Sequence, residues 1–149
     1  EERNALWAMR HNAYYAVLAS KPGARAFVTD ICVPVSKLGE AVMDTATDIA
    51  QSQIEGPILG HVGDGNFHAI LLVDPPSSSH LEEAARLSDR MVERALALGG
   101  TCTGEHGVGI GKLKFMDKEH GLGWDVMGEI TKAIDPLNIM NPGKLVRQN

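Results

Sequence analysis

The sequence is poor in the features that mark several common protein classes. Only two cysteines occur, Cys32 and Cys102, far apart and in no CxxC arrangement. They make no disulfide framework, and a reducing compartment is expected. Basic residues do not dominate: 14 Lys and Arg stand against 19 Asp and Glu, a formal charge of −5. A binder of nucleic-acid backbone would carry a basic patch or stripe, so that class is excluded. No apolar run approaches the roughly 20 residues of a membrane span, and no basic-then-apolar leader opens the chain. A soluble, cytoplasmic protein is expected, with peripheral attachment at the inner membrane as the variant. Internal repeats, linkers and low-complexity tracts are also missing. What is present is 149 residues with 44% apolar and 22% charged side chains. That is the composition of one globular domain, which at this size buries roughly two-thirds of its unfolded surface. No initiator Met leads the chain, and Glu1-Glu2 runs straight into a helical pattern. Two expectations are open at this point: a piece of a longer polypeptide, or a trimmed terminus.

Hydrophobic periodicity alternates between helix and strand. Residues 2–19 place Leu6, Met9, Ala13, Ala16 and Val17 on one helical stripe that ends at Lys21-Pro22-Gly23. Phe27–Pro34 is a short apolar, β-branched run that reads as a strand, and Val35–Gln53 returns to helical spacing. Pro57–Val62 and Phe67–Val73 are apolar runs flanking Gly63-Asp64-Gly65-Asn66, a hairpin signal because Asp-Gly tolerates the positive φ of a tight turn. Ser79-x-x-Glu82 forms a capping box for a helix to Leu98, closed by Gly99-Gly100. Thr101–Thr103 adds a candidate strand, and Lys112–Asp135 reads as two helices broken at Gly121-Leu122-Gly123. The core order β-α-β-β-α-β predicts an α+β, ferredoxin-like antiparallel sheet with helices on one face. An N-terminal helix and a C-terminal helical extension complete one domain over residues 1–149.

The chemistry concentrates in two segments. In His61-Val62-Gly63-Asp64-Gly65-Asn66-Phe67-His68, a two-residue Asp64-Gly65 turn pairs His61 with His68 on one sheet face, Cβ atoms about 5 Å apart. That separation suits two imidazoles sharing one metal ion. In Thr101-Cys102-Thr103-Gly104-Glu105-His106-Gly107-Val108-Gly109, glycines let backbone approach a ligand. Glu105 can supply a third ligand, giving a two-His, one-carboxylate set with open positions. His106 points the other way in an extended segment and suits a general base near neutral pH. Cys102 reads as a buried structural thiol. Arg10 and Tyr14, one helical turn apart, share a face, and an arginine there suits carboxylate capture.

Three strings, HVGDGNFH (61–68), GTCTGEHGVGIGK (100–112) and DPLNIMNPGK (135–144), resemble the C-terminal half of flavin-linked D-2-hydroxyacid dehydrogenases. That family includes cytochrome-type D-lactate dehydrogenase, the glycolate oxidase D subunit and D-2-hydroxyglutarate dehydrogenase. LWAMRHNAYYA and TDICVPVSKL are most similar to the D-lactate branch. The resemblance implies His61, His68 and Glu105 as ligands of Zn or Mn, and His106 as the base for the 2-hydroxyl. It implies Arg10, with Tyr14 beside it, at the substrate carboxylate, and Asn66 and Asn141 facing flavin or substrate. It also implies an FAD held mainly by an N-terminal domain outside this chain, an electron acceptor of unspecified identity, and no redox turnover by the chain alone. The resemblance implies a second cation in relatives that act on dicarboxylates. Phe27–Pro34 carries no Lys or Arg and Tyr14 fills space near Arg10, which favours a small monocarboxylate such as D-lactate and leaves a longer apolar 2-hydroxyacid open. Two rival readings use the same residues: a metallohydrolase at His61, His68 and Glu105, and a non-catalytic ferredoxin-like ligand-binding module.

Overall fold

The computed structural model describes residues 1–75 and 77–147. It is an α+β fold in which helix α1 (Glu2–Ser20) leads into strands β1 (Arg25–Val28) and β2 (Ile31–Cys32). A 3-10 turn (Val35–Lys37) and α2 (Leu38–Ala50) follow, then β3 (Ile58–His61), β4 (Asn66–Val73) and α3 (Ser78–Ala97). The chain ends in α4 (Leu113–His120) and α5 (Leu122–Ile134). The sheet is antiparallel throughout and β4 is its centre. β1 and β2 lie end to end along one edge of β4 in a single register, Arg25 opposite Val73 and Cys32 opposite Asn66. β3 pairs along the other edge.

The predicted strand Phe27–Pro34 is thus two short strands separated by Thr29 and Asp30, and the expected strand at Thr101–Thr103 is one isolated bridge, Thr101 to Cys32. The cause of the interruption is a hydroxyl. Thr29 N–H donates to Ala69 O at 3.0 Å as a ladder requires. Ala69 N–H, however, donates to Thr29 Oγ1 at 2.8 Å instead of to the Thr29 carbonyl. The hairpin also departs from the two-residue turn. His61 pairs with Asn66 and Leu59 with His68, so the connection is four residues, Val62 to Gly65. Gly65 takes φ +77, and Val33 N–H donates to its carbonyl at 3.0 Å, so a tertiary contact sets this turn rather than Asp-Gly propensity alone.

Alternation along β4 divides the molecule. Phe67, Ala69, Leu71 and Val73 join a core with Ile31, Val33, Ala84, Leu87, Met91 and Ala95 beneath α2 and α3. The helix α3 is amphipathic, and its buried face carries Ala84, Leu87, Met91, Val92 and Ala95. Its N-cap is Ser77, whose hydroxyl accepts from His80 N–H, two residues before the expected Ser79 box. Phe115 and Met116 tie α4 to the same core, whereas α5 buries none of its residues and leaves Leu122, Val126, Ile130 and Ile134 exposed. The opposite sheet face is crossed by α1.

Gly65→Ala tests the turn. A Cβ there would meet Val33 O at 2.0 Å, on a backbone at φ +77. The expected loss exceeds about 1 kcal/mol of stability, read from the denaturant midpoint.

Candidate active site

A cavity of about 450 Å³ lies between α1 and the outer sheet face. Its walls include Arg10, His11, Tyr14, His61, His68, Glu105 and His106, and its apolar floor is Val28, Leu59 and Ile70. Six of the eight sequence-derived site residues, Arg10, Tyr14, His61, His68, Glu105 and His106, therefore meet there. Asn66 and Asn141 do not line it: Asn66 is buried below, and Asn141 sits in the tail with a left-handed φ of 54.

The histidine pair forms despite the altered register. Moving the partner of His61 from residue 68 to residue 66 is a shift of two, which leaves the side chain on the same face. The rings meet edge to face, centroids 6.1 Å apart. Glu105 Oε1 stands between them, 3.1 Å from His68 Nε2 and 3.4 Å from His61 Nε2. His106 stacks on His68 at 4.9 Å with an 8° angle, its Nε2 3.9 Å from Glu105 Oε1.

The orientation of His68 follows from the interrupted ladder. Because Thr29 Oγ1 takes the Ala69 N–H, the Thr29 carbonyl is free, and His68 Nδ1–H donates to it at 3.0 Å. A ring proton is thereby placed on Nδ1, and Nε2 is turned into the cavity towards Glu105 Oε1. Arg10 Nη2 lies 2.9 Å from His61 Nδ1 and can only donate there. His61 taking up a cation through Nε2 requires Arg10 to swing away. Two imidazoles and a carboxylate with ligand atoms within 4.8 Å of one another fit a divalent ion of the Zn or Mn type. Asp30, His68 and His106 form a second such group.

Asp30 is the residue that sequence reading missed. Its Oδ2 accepts from Gly104 N–H at 2.8 Å, Glu105 N–H at 3.0 Å, His106 N–H at 2.9 Å and Thr103 Oγ1–H at 2.8 Å. Its Oδ1 accepts from Asn66 Nδ2 at 2.8 Å. Asn66 also donates to Ile31 O, which leaves its own Oδ1 buried without a partner among the described residues. Burial alone would push the Asp30 carboxyl up, but the hydrogen bonds from His106, Asn66, Thr103 and Glu105 outweigh it and hold it at about 2. Lys112 Nζ donates to Asp30 O at 2.8 Å and Cys102 O at 2.5 Å, bracing the same loop from below. Cys102 is buried, and burial with the adjacent Glu119 carboxylate pushes its thiol up to about 12, as an inert packing residue requires. The sequence signal for Asp30 is a lone carboxylate inside Ala26-Phe27-Val28-Thr29-Asp30-Ile31-Cys32-Val33, since a charge buried in such a run needs partners.

Residues 1–145 match the family of FAD linked oxidases, C-terminal domain, and the chain belongs to that family. Among relatives, it is 45% identical over 98% of its length to a protein named probable D-lactate dehydrogenase, mitochondrial, from Danio rerio. It is 44% identical over 98% of its length to D-lactate dehydrogenase [cytochrome], mitochondrial, of Arabidopsis thaliana. It is 35% identical over 97% to glycolate oxidase subunit GlcD of Bacillus subtilis. The chain spans 30%, 26% and 31% of these relatives respectively. No helix among the described residues is long and apolar enough to cross a membrane.

The low Asp30 value has a consequence in acid. A carboxyl held at about 2, below its ordinary 3.8, stabilises the fold above pH 4 and loses that contribution as pH falls towards 2. The expected loss is about 2 kcal/mol. Denaturant midpoints at pH 5 and pH 2 should show it in the wild type, and Asp30→Asn should lack that part of the acid dependence.

Proposed function

We propose that this chain is the substrate- and metal-binding part of a flavin-dependent D-2-hydroxyacid dehydrogenase, and that the whole polypeptide oxidises D-lactate to pyruvate. The observation that carries the reading is the convergence of His61, His68 and Glu105 with His106 and Arg10 on one cavity, in a chain of the FAD-linked oxidase family. The names of the Danio and Arabidopsis relatives favour D-lactate.

In this reading His61, His68 and Glu105 hold a divalent cation, which lowers the pKa of the substrate hydroxyl when bound. The flavin, held mainly by the rest of the polypeptide, supplies the acceptor for the hydride at C2. Arg10, released from His61, forms a charged pair with the substrate carboxylate. His106 takes the 2-hydroxyl proton at Nε2, the atom facing Glu105 across the site. Stacking on His68 holds that ring in place. Val28, Leu59 and Ile70 exclude water from the substrate's alkyl end. Arg10 is the only Lys or Arg lining the cavity among the described residues, which supports a monocarboxylate.

Two measurements on the full-length polypeptide test this. After loading with Mn or Zn, elemental analysis is expected to find near one metal ion per wild-type chain and none above background in His68→Ala; equal metal in both overturns the ligand assignment. D-Lactate is expected to exceed D-2-hydroxyglutarate at least about tenfold in kcat/KM, the scale of one unpaired charged contact. The reverse preference overturns the substrate assignment.

A further inference from the structure

We infer that Asp30 is the positioning residue of the site: its carboxylate, not the glycine-rich loop itself, sets where Glu105 and His106 stand. This rests on the metal and base roles proposed above. The two groups sit on a segment that belongs to no helix or strand and has five glycines between residues 100 and 109 or just beyond, at 100, 104, 107, 109 and 111. Such a segment has many backbone states to lose. One buried oxygen, Asp30 Oδ2, gathers three successive N–H groups and one hydroxyl from it. Donors from an N–H run converging on an anion fix the backbone of each residue in the run. Glu105 and His106 are two of those three.

The same carboxylate reaches the other wall. Oδ1 holds Asn66 and lies 3.6 Å from His68 Nδ1, so β4 and the loop are registered against one group. Space enforces the arrangement: a Cβ on Gly104 would stand 1.9 Å from Asn66 Nδ2 and 2.8 Å from Asp30 Oδ1. Asp30 is also saturated with donors and 2% exposed, so it acts through Glu105 and His106 rather than on substrate.

The test uses the full-length flavoprotein with Asp30→Asn, Thr103→Val and His68→Ala. Amide hydrogen exchange over residues 103–107 is expected to accelerate at least tenfold in Asp30→Asn. Divalent-metal affinity is expected to fall about 10- to 100-fold, the range for losing a supporting group behind a ligand. Excess metal should restore occupancy, which a misfolded site would not allow. If Asp30→Asn does not fold, Thr103→Val removes one donor with Asp30 in place, and a smaller loss in the same direction is expected. Unchanged exchange and metal affinity in the folded variants overturn the inference, as does a loosened loop with unchanged metal affinity. Wild-type protein that takes up no metal, or metal retained in His68→Ala, overturns the underlying ligand assignment instead.

Discussion

Strand β4 is paired along both edges, and that constraint organises everything else. With β1 and β2 on one side and β3 on the other, its backbone cannot rotate without breaking two ladders. Its odd-numbered side chains then go into the core and its even-numbered ones to the opposite face. Phe67, Ala69 and Leu71 supply the apolar contacts that hold α2 and α3. His68 and Ile70 line the cavity. Core packing and cavity lining are thus divided between alternate residues of the same eight-residue strand.

Much of this was legible in the sequence where the signal is local. Helix ends marked by Gly99, Gly121 and Pro22 fall within a residue or two of the structure, because backbone conformation there depends on the residue itself. The histidine pair was legible for a subtler reason. The turn is longer than Asp64-Gly65 implies, but the error in pairing is an even number of residues, so side-chain direction survives. Which cross-strand pair forms depends on Gly65 docking against Val33, a contact invisible to hairpin propensity. The cap falls at Ser77 rather than Ser79, with the Ser77 hydroxyl accepting from His80 N–H.

Asp30 lay beyond such reasoning because its partners come from 36 to 76 positions away. Sequence shows only the anomaly of a charge in a strand and nothing of its resolution. The strand expected at Thr101–Thr103 did not form for a related reason. Thr101 does reach Cys32, but Thr103 and Gly104 are drawn off by Asp30, and the ladder stops after one bridge.

The exchange of partners at Thr29 bears on the usual tension between a firm fold and a working site. Active groups are commonly held by leaving something else unsatisfied or strained. Here the hydroxyl of Thr29 substitutes for its carbonyl in the ladder, and the carbonyl takes up the imidazole, so every donor still has an acceptor. Closing the sheet at Thr29 and aiming the His68 ring are therefore one and the same exchange of partners.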